Sequence, residues 1–291
     1  MLVATDASPS ARTALELIGN LRWDPDTSVR VVEVLPHPPT SLLGPRVTLD
    51  WLEERGRESL HEIAAPVRRE GLTVEEIILR GGSAADSIVA SARDWGADLV
   101  ATGSRGHGQI TSMLLGSVAA AISDLAPCPV LVARRPTCAR VVLADDGSES
   151  AIEARRILAR WPIFRDLHLR VVSVAHAPRP LRSGISPTML DDVRRVEAEM
   201  TEEARSAHEQ LATESAEELR RAGLAAETEV RSGDPAAEIL AAALRADADV
   251  VVMGSRGRTG IARAALGSVA RNVLIHASCS VLIVRRGTVH A

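Results

Sequence analysis

Two glycine-spaced segments, at matching places in the two halves of the chain, carry the residues best suited to chemistry. GSRGHGQITSMLLGS runs from Gly103 to Ser117 and GSRGRTGIARAALGS from Gly254 to Ser268, and both fit Gly-x2-Gly-x9-Gly-Ser. Each follows an apolar run (ADLVAT, ADVVVM) and leads into a helical pattern (SVAAAISDLA, SVARNVLIHA). Backbone N–H groups and the helix dipole attract anions at a helix N-terminus, and glycine lets the backbone approach closely. The spacing therefore predicts two phosphate sites.

The repeat extends well beyond the glycine segments, which indicates two tandem domains. The offset between matching residues is 140 at the start and 151 from the middle onward, so the second half holds 11 extra residues, which we place in its longest helix. We predict one domain at 1–135 and another at 139–291, joined by a linker within 134–140 (RRPTCAR). The matching stretches are ATDASPSA (4–11) with ADDGSESA (144–151), 80–106 with 231–257, and APCPVLVARR (126–135) with ASCSVLIVRR (277–286).

Each half alternates short β-branched runs with helical patterns, which is typical of a parallel sheet covered on both faces. We therefore predict an α/β fold of two tandem, open, doubly wound, five-stranded parallel-sheet domains. In such sheets the ligand lies at the carboxyl ends of the strands, at the switch point. Predicted strands are 2–5, 29–34, 73–79, 98–102, 129–133, 140–144, 168–174, 226–231, 249–253 and 280–284. Predicted helices are 9–20, 49–70, 84–95, 117–125, 149–160, 189–222, 235–245 and 268–276.

Two further patterns concern the surroundings of the predicted sites. The Pro- and Gly-rich connections 36–48 and 176–188 leave the second strand of each half; they are interpreted as solvated loops, with a lid over the ligand as the alternative. The long acidic helix carries an apolar stripe at three- to four-residue spacing, which predicts packing on the sheet of its own half, with a surface for a partner as the alternative. The stripe is Val193, Val196, Met200, Ala204, Ala207 and Leu211.

Composition excludes several classes of function. All 34 strongly basic residues are arginine, so the chain lacks the lysine of a Walker A loop and of a Schiff base. A net charge of −4 and 2% aromatic content argue against nucleic-acid binding, and no apolar run is long enough to span a membrane. The spacing of Cys128, Cys138 and Cys279 predicts neither a disulfide framework nor a metal site. We expect a cytoplasmic protein, with Cys128 and Cys279 buried and Cys138 more exposed.

The opening ATDASPSA, the spaced glycines and the closing CPVLVARR together resemble the universal stress protein family, in its tandem class. The resemblance implies a layering similar to adenine nucleotide alpha hydrolase-like and flavodoxin-like folds. It also implies ATP binding, since family members that keep the glycine motif bind ATP. Any Mg²⁺ would be carried on the nucleotide phosphates and need few protein ligands.

The resemblance also implies which residues form each site. An aspartate that closes the first strand, Asp6 or Asp146, would lie near the ribose and adenine, and a second-strand residue, Val34 or Val174, would flank the adenine. The phosphates would lie against the loop residues Gly103, Arg105, Gly106, Gly116, Ser117 and Val118, and in the second half Gly254, Arg256, Gly257, Gly267, Ser268 and Val269.

Structural alternatives exist for each of these residue types. The glycines fit a tight turn that packs helix on sheet, the serines and aspartates fit helix N-caps, and the arginines fit a solvated surface. Asp145 corresponds to Thr5 and is not treated as a ligand. His107 has Arg258 as its counterpart, so we predict no catalytic role for it and no catalytic residue in either site.

The resulting expectation is a cytoplasmic regulator that binds an adenine nucleotide in each half and hydrolyses it slowly at most. An enzyme, either an ATPase or a nucleotidyl-transfer enzyme, and a scaffold whose loops are relics are the alternatives. The apolar last strands lie at sheet edges by the family's strand order, so we expect them to pair the two halves about a pseudo-two-fold axis. The whole chain could also form a homodimer, and the sequence does not identify the protein that it regulates.

Overall fold

The computed structural model describes residues 1–35, 48–69, 72–106, 115–176, 190–257 and 265–285. Most of the two Pro- and Gly-rich connections, the middles of both glycine segments, His107 and Arg258 lie outside these described residues. The interpretation of the connections as solvated loops or lids, and the absence of a role for His107, therefore stay predictions.

Strands and helices alternate in both halves, as the sequence patterns predict. The first half contains β1 (Leu2–Thr5), α1 (Pro9–Asn20), β2 (Ser28–Leu35), α2 (Leu49–Ile63), α3 (Ala65–Arg69), β3 (Thr73–Arg80), α4 (Ala84–Asp94), β4 (Val100–Gly103), α5 (Ser117–Leu125) and β5 (Val130–Ala133). The second contains β6 (Arg140–Ala144), α6 (Glu149–Arg160), a short 3₁₀ helix (Pro162–Phe164), β7 (His168–Ala175), α7 (Leu190–Arg221), β8 (Ala225–Ser232), α8 (Pro235–Arg245), β9 (Val250–Gly254), α9 (Ser268–His276) and β10 (Ser280–Val284).

All the described strands belong to one ten-stranded sheet in the order β3-β2-β1-β4-β5-β10-β9-β6-β7-β8. Within each half the strands are parallel, and the order reverses direction between the first and the fourth strand. That reversal is the switch point, where crossover connections leave a crevice at the carboxyl ends of the strands. The fold therefore places the end of β1 and the glycine segment after β4 at the same edge of the sheet.

The two halves join through their last strands, which confirms the predicted pairing. β5 and β10 run antiparallel, with Val132 opposite Val281 and Val130 opposite Ile283. Each strand would otherwise present an unpaired, apolar edge to water. The two predicted five-stranded sheets are therefore one continuous sheet with an internal pseudo-two-fold axis.

Apolar layers cover both faces of this sheet. Val3 on β1 faces a layer formed with α1, α2, α6 and α7, whereas Leu2 and Ala4 face a second layer formed with α4, α5, α8 and α9. Successive strand residues point to opposite faces, so burial on both faces explains why these strands show no polar alternation.

Two predictions about helices are wrong. The helix predicted at 49–70 is two helices that meet at Ala64, because Pro66 lacks an N–H group and its ring would crowd the preceding turn. The apolar stripe of α7 does not pack on the sheet along its length: Val196 and Met200 are 52% and 43% exposed, and the buried face begins only near Ala212. The helix is longer than β7 and β8, the strands it covers, so its N-terminal part passes beyond them.

None of the helices in the described segments combines the length and the apolar content that crossing a membrane requires. The longest of them, α7, is acidic along much of its length.

Candidate functional site

A cavity of about 490 Å³ opens at the switch point of the first half, between the ends of β1 and β4. Its walls include apolar side chains from β2 and α4, such as Val34 and Ile88. The structure brings together at this cavity every residue that the sequence assigned to the first site: Asp6, Val34, Gly103, Arg105, Gly106, Gly116, Ser117 and Val118.

The second half contains the equivalent cavity, of about 700 Å³, between the ends of β6 and β9. Val174 and Ile239 correspond to the apolar walls of the first cavity, and the imidazoles of His176 and His208 also line the second cavity. The second set of predicted residues also meets here: Asp146, Val174, Gly254, Arg256, Gly257, Gly267, Ser268 and Val269.

The aspartates that close the first strands point one oxygen at their own backbone and the other toward the glycine segment. Oδ1 of Asp6 accepts a hydrogen bond from the Ser8 N–H at 3.0 Å, and Oδ1 of Asp146 accepts from the Ser148 N–H at 3.0 Å. A Cβ atom at Gly257 would lie 2.9 Å from Oδ2 of Asp146, and one at Gly106 would overlap Oδ2 of Asp6. Glycine at these positions therefore leaves room for the carboxylate. The helix N-cap is the following serine and not the aspartate.

The first glycine of each motif is required by packing. A Cβ atom at Gly103 would stand 2.7 Å from the backbone nitrogen of Ala11, and one at Gly254 2.8 Å from that of Ala151. The first turns of α1 and α6 cross these strand ends too closely for any side chain. Gly103 and Gly254 thus line the cavities, and they also allow close contact between helix and sheet, which is the structural role that the sequence left as an alternative.

The helices that follow the glycine segments begin without a side-chain cap. Their N-caps are Gly116 and Gly267, so Ser117 and Ser268 are the first helical residues and not the N-caps that the sequence left as an alternative. The other α-helices with a described N-cap use a side chain, from Ser8, Thr48, Ser83, Ser148 or Asp234. The first N–H groups of α5 and α9 have no carbonyl partner within their helices, and both first turns line a cavity. Each cavity is therefore open to an anion at a positive helix end.

Serines at the start of α1 and α6 hold the backbone of the motif arginines. The Arg105 N–H donates to Ser10 Oγ at 3.1 Å, and the Arg256 carbonyl accepts from Ser148 Oγ at 3.0 Å and Ser150 Oγ at 2.6 Å. The Arg256 side chain donates through Nε to the Ala265 carbonyl at 3.3 Å. These serines are not among the site residues predicted from the sequence. Their signal was the repeated Ser-x-Ser in ATDASPSA and ADDGSESA.

A buried polar group lies beneath the second cavity. The Asp145 carboxylate accepts from the Gly147 N–H at 2.9 Å and from Ser215 Oγ at 2.9 Å, and it lies 3.3 Å from Nε of Arg155. Ser173 Oγ donates to the Asp145 carbonyl at 2.7 Å, so it accepts from Nδ1 of His208, 2.8 Å away. Asp145 therefore lines the second cavity, but its carboxylate is bound by Gly147, Ser215 and Arg155 of the protein itself.

The described residues contain no group of three side chains able to hold a metal ion. Cys128 and Cys279 are buried, as predicted, and Cys138 is more exposed than either. Burial raises the pKa of Cys128 and of Cys138 to about 12, so little thiolate forms at neutral pH.

The fold and the two cavities define a tandem, doubly wound α/β protein with a cavity at the switch point of each half. The model of the universal stress protein family matches residues 1–134 and 138–285, and the chain belongs to that family.

Curated relatives share parts of the sequence. A universal stress protein of Methanocaldococcus jannaschii is 45% identical over 64 residues, and one of Synechocystis is 48% identical over 63 residues. These alignments span 22% of this chain in each case, and 38% and 41% of the relatives. YxiE of Bacillus subtilis is 28% identical over 148 residues, which cover 46% of this chain and 97% of YxiE.

Solved structures resemble the whole chain. A universal stress protein from Archaeoglobus fulgidus aligns over 98% of both chains with a TM-score of 0.67 and 21% identity. A protein from Pseudomonas aeruginosa, described as a putative universal stress protein, aligns over 98% of this chain and 91% of its own with a TM-score of 0.60 and 18% identity. At these identities the likeness concerns the fold.

Proposed function

We propose that the protein binds one adenine nucleotide, ATP, in each half and acts as a nucleotide-dependent regulator of the stress response in the cytoplasm. Membership of the universal stress protein family supports the stress-response role. The three free cysteines support a reducing compartment.

The observation that carries the proposal is the pair of helix N-termini at Gly116 and Gly267. Both lack a side-chain cap, whereas the other α-helices with a described N-cap have one, and both face a cavity at a switch point. An anion there would accept hydrogen bonds from the first-turn N–H groups and gain from the helix dipole. Phosphate is the anion for which such strand-loop-helix arrangements are best known.

The remainder of each cavity suits a nucleoside. Val34 with Ile88, and Val174 with Ile239, offer apolar walls to a base. Asp6 and Asp146 line the cavities, where their carboxylates would accept hydrogen bonds from ribose hydroxyls, as a carboxylate does in dinucleotide folds. The volumes fall within the range of ligand pockets, about 300–1,000 Å³. Mg²⁺ would bind through the phosphates. We propose binding with slow hydrolysis at most, because the sequence shows no lysine, no evident general base beside either glycine segment and no dedicated pair of carboxylates for Mg²⁺.

The first test is the nucleotide content of the purified protein. The protein is denatured, the released small molecules are separated by chromatography, and ATP uptake is then titrated calorimetrically. We expect two equivalents of ATP per chain, one for each cavity. If the protein contains no nucleotide and takes up no added ATP, nucleotide binding is excluded and the scaffold alternative is favoured.

Glycine variants assign each equivalent to its half. Gly106→Ala and Gly257→Ala put a methyl group against Asp6 and Asp146, so each should remove one equivalent and leave the other. Gly82→Ala is the matched control, since its Cβ meets no atom within 4 Å, and it should keep both. Multiple-turnover phosphate release well above background, lost in Gly257→Ala, would indicate the ATPase alternative.

A further inference from the structure

Helix α5 of the first half reaches the glycine segment of the second half. Asp124, in its last turn, accepts a hydrogen bond from the Leu266 N–H at 3.1 Å and another from Arg271 at 2.7 Å. Leu266 lines the second cavity and immediately precedes Gly267, the N-cap of α9. A carboxylate from one half thus fixes the backbone that enters the helix N-terminus in the other half.

The second half provides no carboxylate at the matching position for the reciprocal contact with the first half. With the 151-residue offset, Asp124 corresponds to Ile275, and Arg271 corresponds to Ala120. An isoleucine side chain cannot accept a hydrogen bond from Leu115, which corresponds to Leu266. The two cavities therefore share a motif, but only in the second is the backbone just before the helix N-cap bound by a carboxylate at this position of the opposite half.

One pair of contacts between the halves is repeated by the pseudo-two-fold axis. Arg134 Nη2 donates to the Leu274 carbonyl at 2.5 Å, and Arg285 Nη2 donates to the Ser123 carbonyl at 2.5 Å. Each arginine thus binds the last turn of the final helix in the opposite half. Because these contacts exist on both sides, they hold the two halves together without distinguishing one cavity from the other.

We propose that Asp124 is a positioning residue for the second nucleotide site, which makes the affinity of that site dependent on docking of the first half. The inference rests on the proposed function. The Leu266 N–H is held before the ligand arrives, so the segment that leads into the phosphate-binding turn loses less freedom on binding. The first site has no such support from the opposite half through this position.

Thermodynamic linkage gives a second consequence. If docking of α5 on the glycine segment strengthens nucleotide binding, then nucleotide in the second cavity strengthens docking by the same factor. Nucleotide in the first cavity has no equivalent effect through Asp124. Through Asp124, nucleotide in the second site would then strengthen the contact between the halves, and nucleotide in the first site would not.

The test measures ATP affinity at each site separately, by calorimetric titration. Gly106→Ala leaves the second site and Gly257→Ala leaves the first, and Asp124→Ala is added to each. We expect Asp124→Ala to weaken ATP binding about tenfold at the second site, because a charge-assisted hydrogen bond that orders the loop is lost. Affinity at the first site should be unchanged.

Conservative and symmetry-matched variants separate positioning from general stability. Asp124→Asn keeps an acceptor for the Leu266 N–H and should recover most of the affinity, and Ile275→Ala, at the matching position, should change neither site. Equal weakening at both sites, or an Asn variant no better than Ala, would overturn the inference. If Asp124→Ala does not fold, Arg271→Ala replaces it and should weaken only the second site, by a smaller factor. Wild-type protein is titrated first: if it takes up no ATP, the proposed function itself fails and the inference with it.

Discussion

Asp145 and Arg155 form an ion pair beside the second cavity that the first half does not repeat. Their counterparts in the first half are Thr5 and Leu15, so a buried ion pair stands where the other half has a hydroxyl and an apolar side chain. The side chains of Asp145 and Arg155 are 0% and 10% exposed. A buried charge that loses its partner is strongly destabilising, whereas replacing both partners is often neutral.

We therefore predict that Arg155→Leu lowers the free energy of unfolding by about 3 kcal/mol, since Asp145 would keep a buried, uncompensated charge. The measurement is equilibrium urea unfolding at neutral pH. Adding Asp145→Thr recreates the first-half pair and should bring stability back to within about 1 kcal/mol of wild type. A single variant as stable as wild type would mean that Ser215 and the Gly147 N–H suffice for the carboxylate.

At the scale of elements, the linker between the halves is held by the residue that precedes β9. The carboxylate of Asp249 accepts hydrogen bonds from the N–H groups of Ala139 at 2.8 Å and Arg140 at 2.9 Å, and from Thr137 Oγ at 3.1 Å. Burial alone would raise the pKa of Asp249, but these donors outweigh it and hold the pKa below its ordinary value of 3.8. One carboxylate thus fixes the chain as it enters β6.

The lowered pKa has a defined consequence for acid stability. A group whose pKa is lower in the folded state contributes stability above its unfolded pKa, and that contribution is lost as the pH falls through the folded pKa. Asp249→Asn should therefore destabilise the protein at pH 7 and reduce the stability lost on acidification below about pH 4. Urea unfolding at several pH values measures both effects. Asp98→Asn, at the exposed matching position, is the control, and an equal effect there would contradict the assignment.

The sequence predicted the features that depend on residues close together in the chain, and it missed those that depend on contacts between distant residues. Strand positions and the order of strand, glycine segment and helix follow from periodicity and spacing within about 15 residues. The contact of Ser150 with Arg256 joins residues 106 apart, and that of Asp124 with Leu266 joins residues 142 apart, so no local pattern contains them. The stripe of α7 has helical spacing throughout, yet Met200 is exposed, because periodicity does not report where the strands beneath the helix end.

At the scale of the whole molecule, the continuous sheet makes the two halves one structural unit. β5 and β10 supply the backbone pairing, and Arg134 and Arg285 each bind helix carbonyls across the junction. Burial lowers the pKa of Arg134 to about 10, which still leaves the guanidinium charged at neutral pH. A charged donor at a helix C-terminus satisfies carbonyls that the helix leaves unpaired. We therefore expect wild-type protein to unfold in one cooperative transition.

Replacing both arginines tests whether the junction couples the halves. Methionine has a similar reach but no donors, so Arg134→Met with Arg285→Met leaves two helix ends unsatisfied in a buried interface, at a cost of about 1–3 kcal/mol for each. Differential scanning calorimetry should then show two separated transitions, because each half contributes apolar side chains to both faces of its own five strands. Arg12→Met, at an exposed position on α1, should leave the single transition unchanged. One unshifted transition in the double variant would mean that the β5–β10 pairing couples the halves without the arginines.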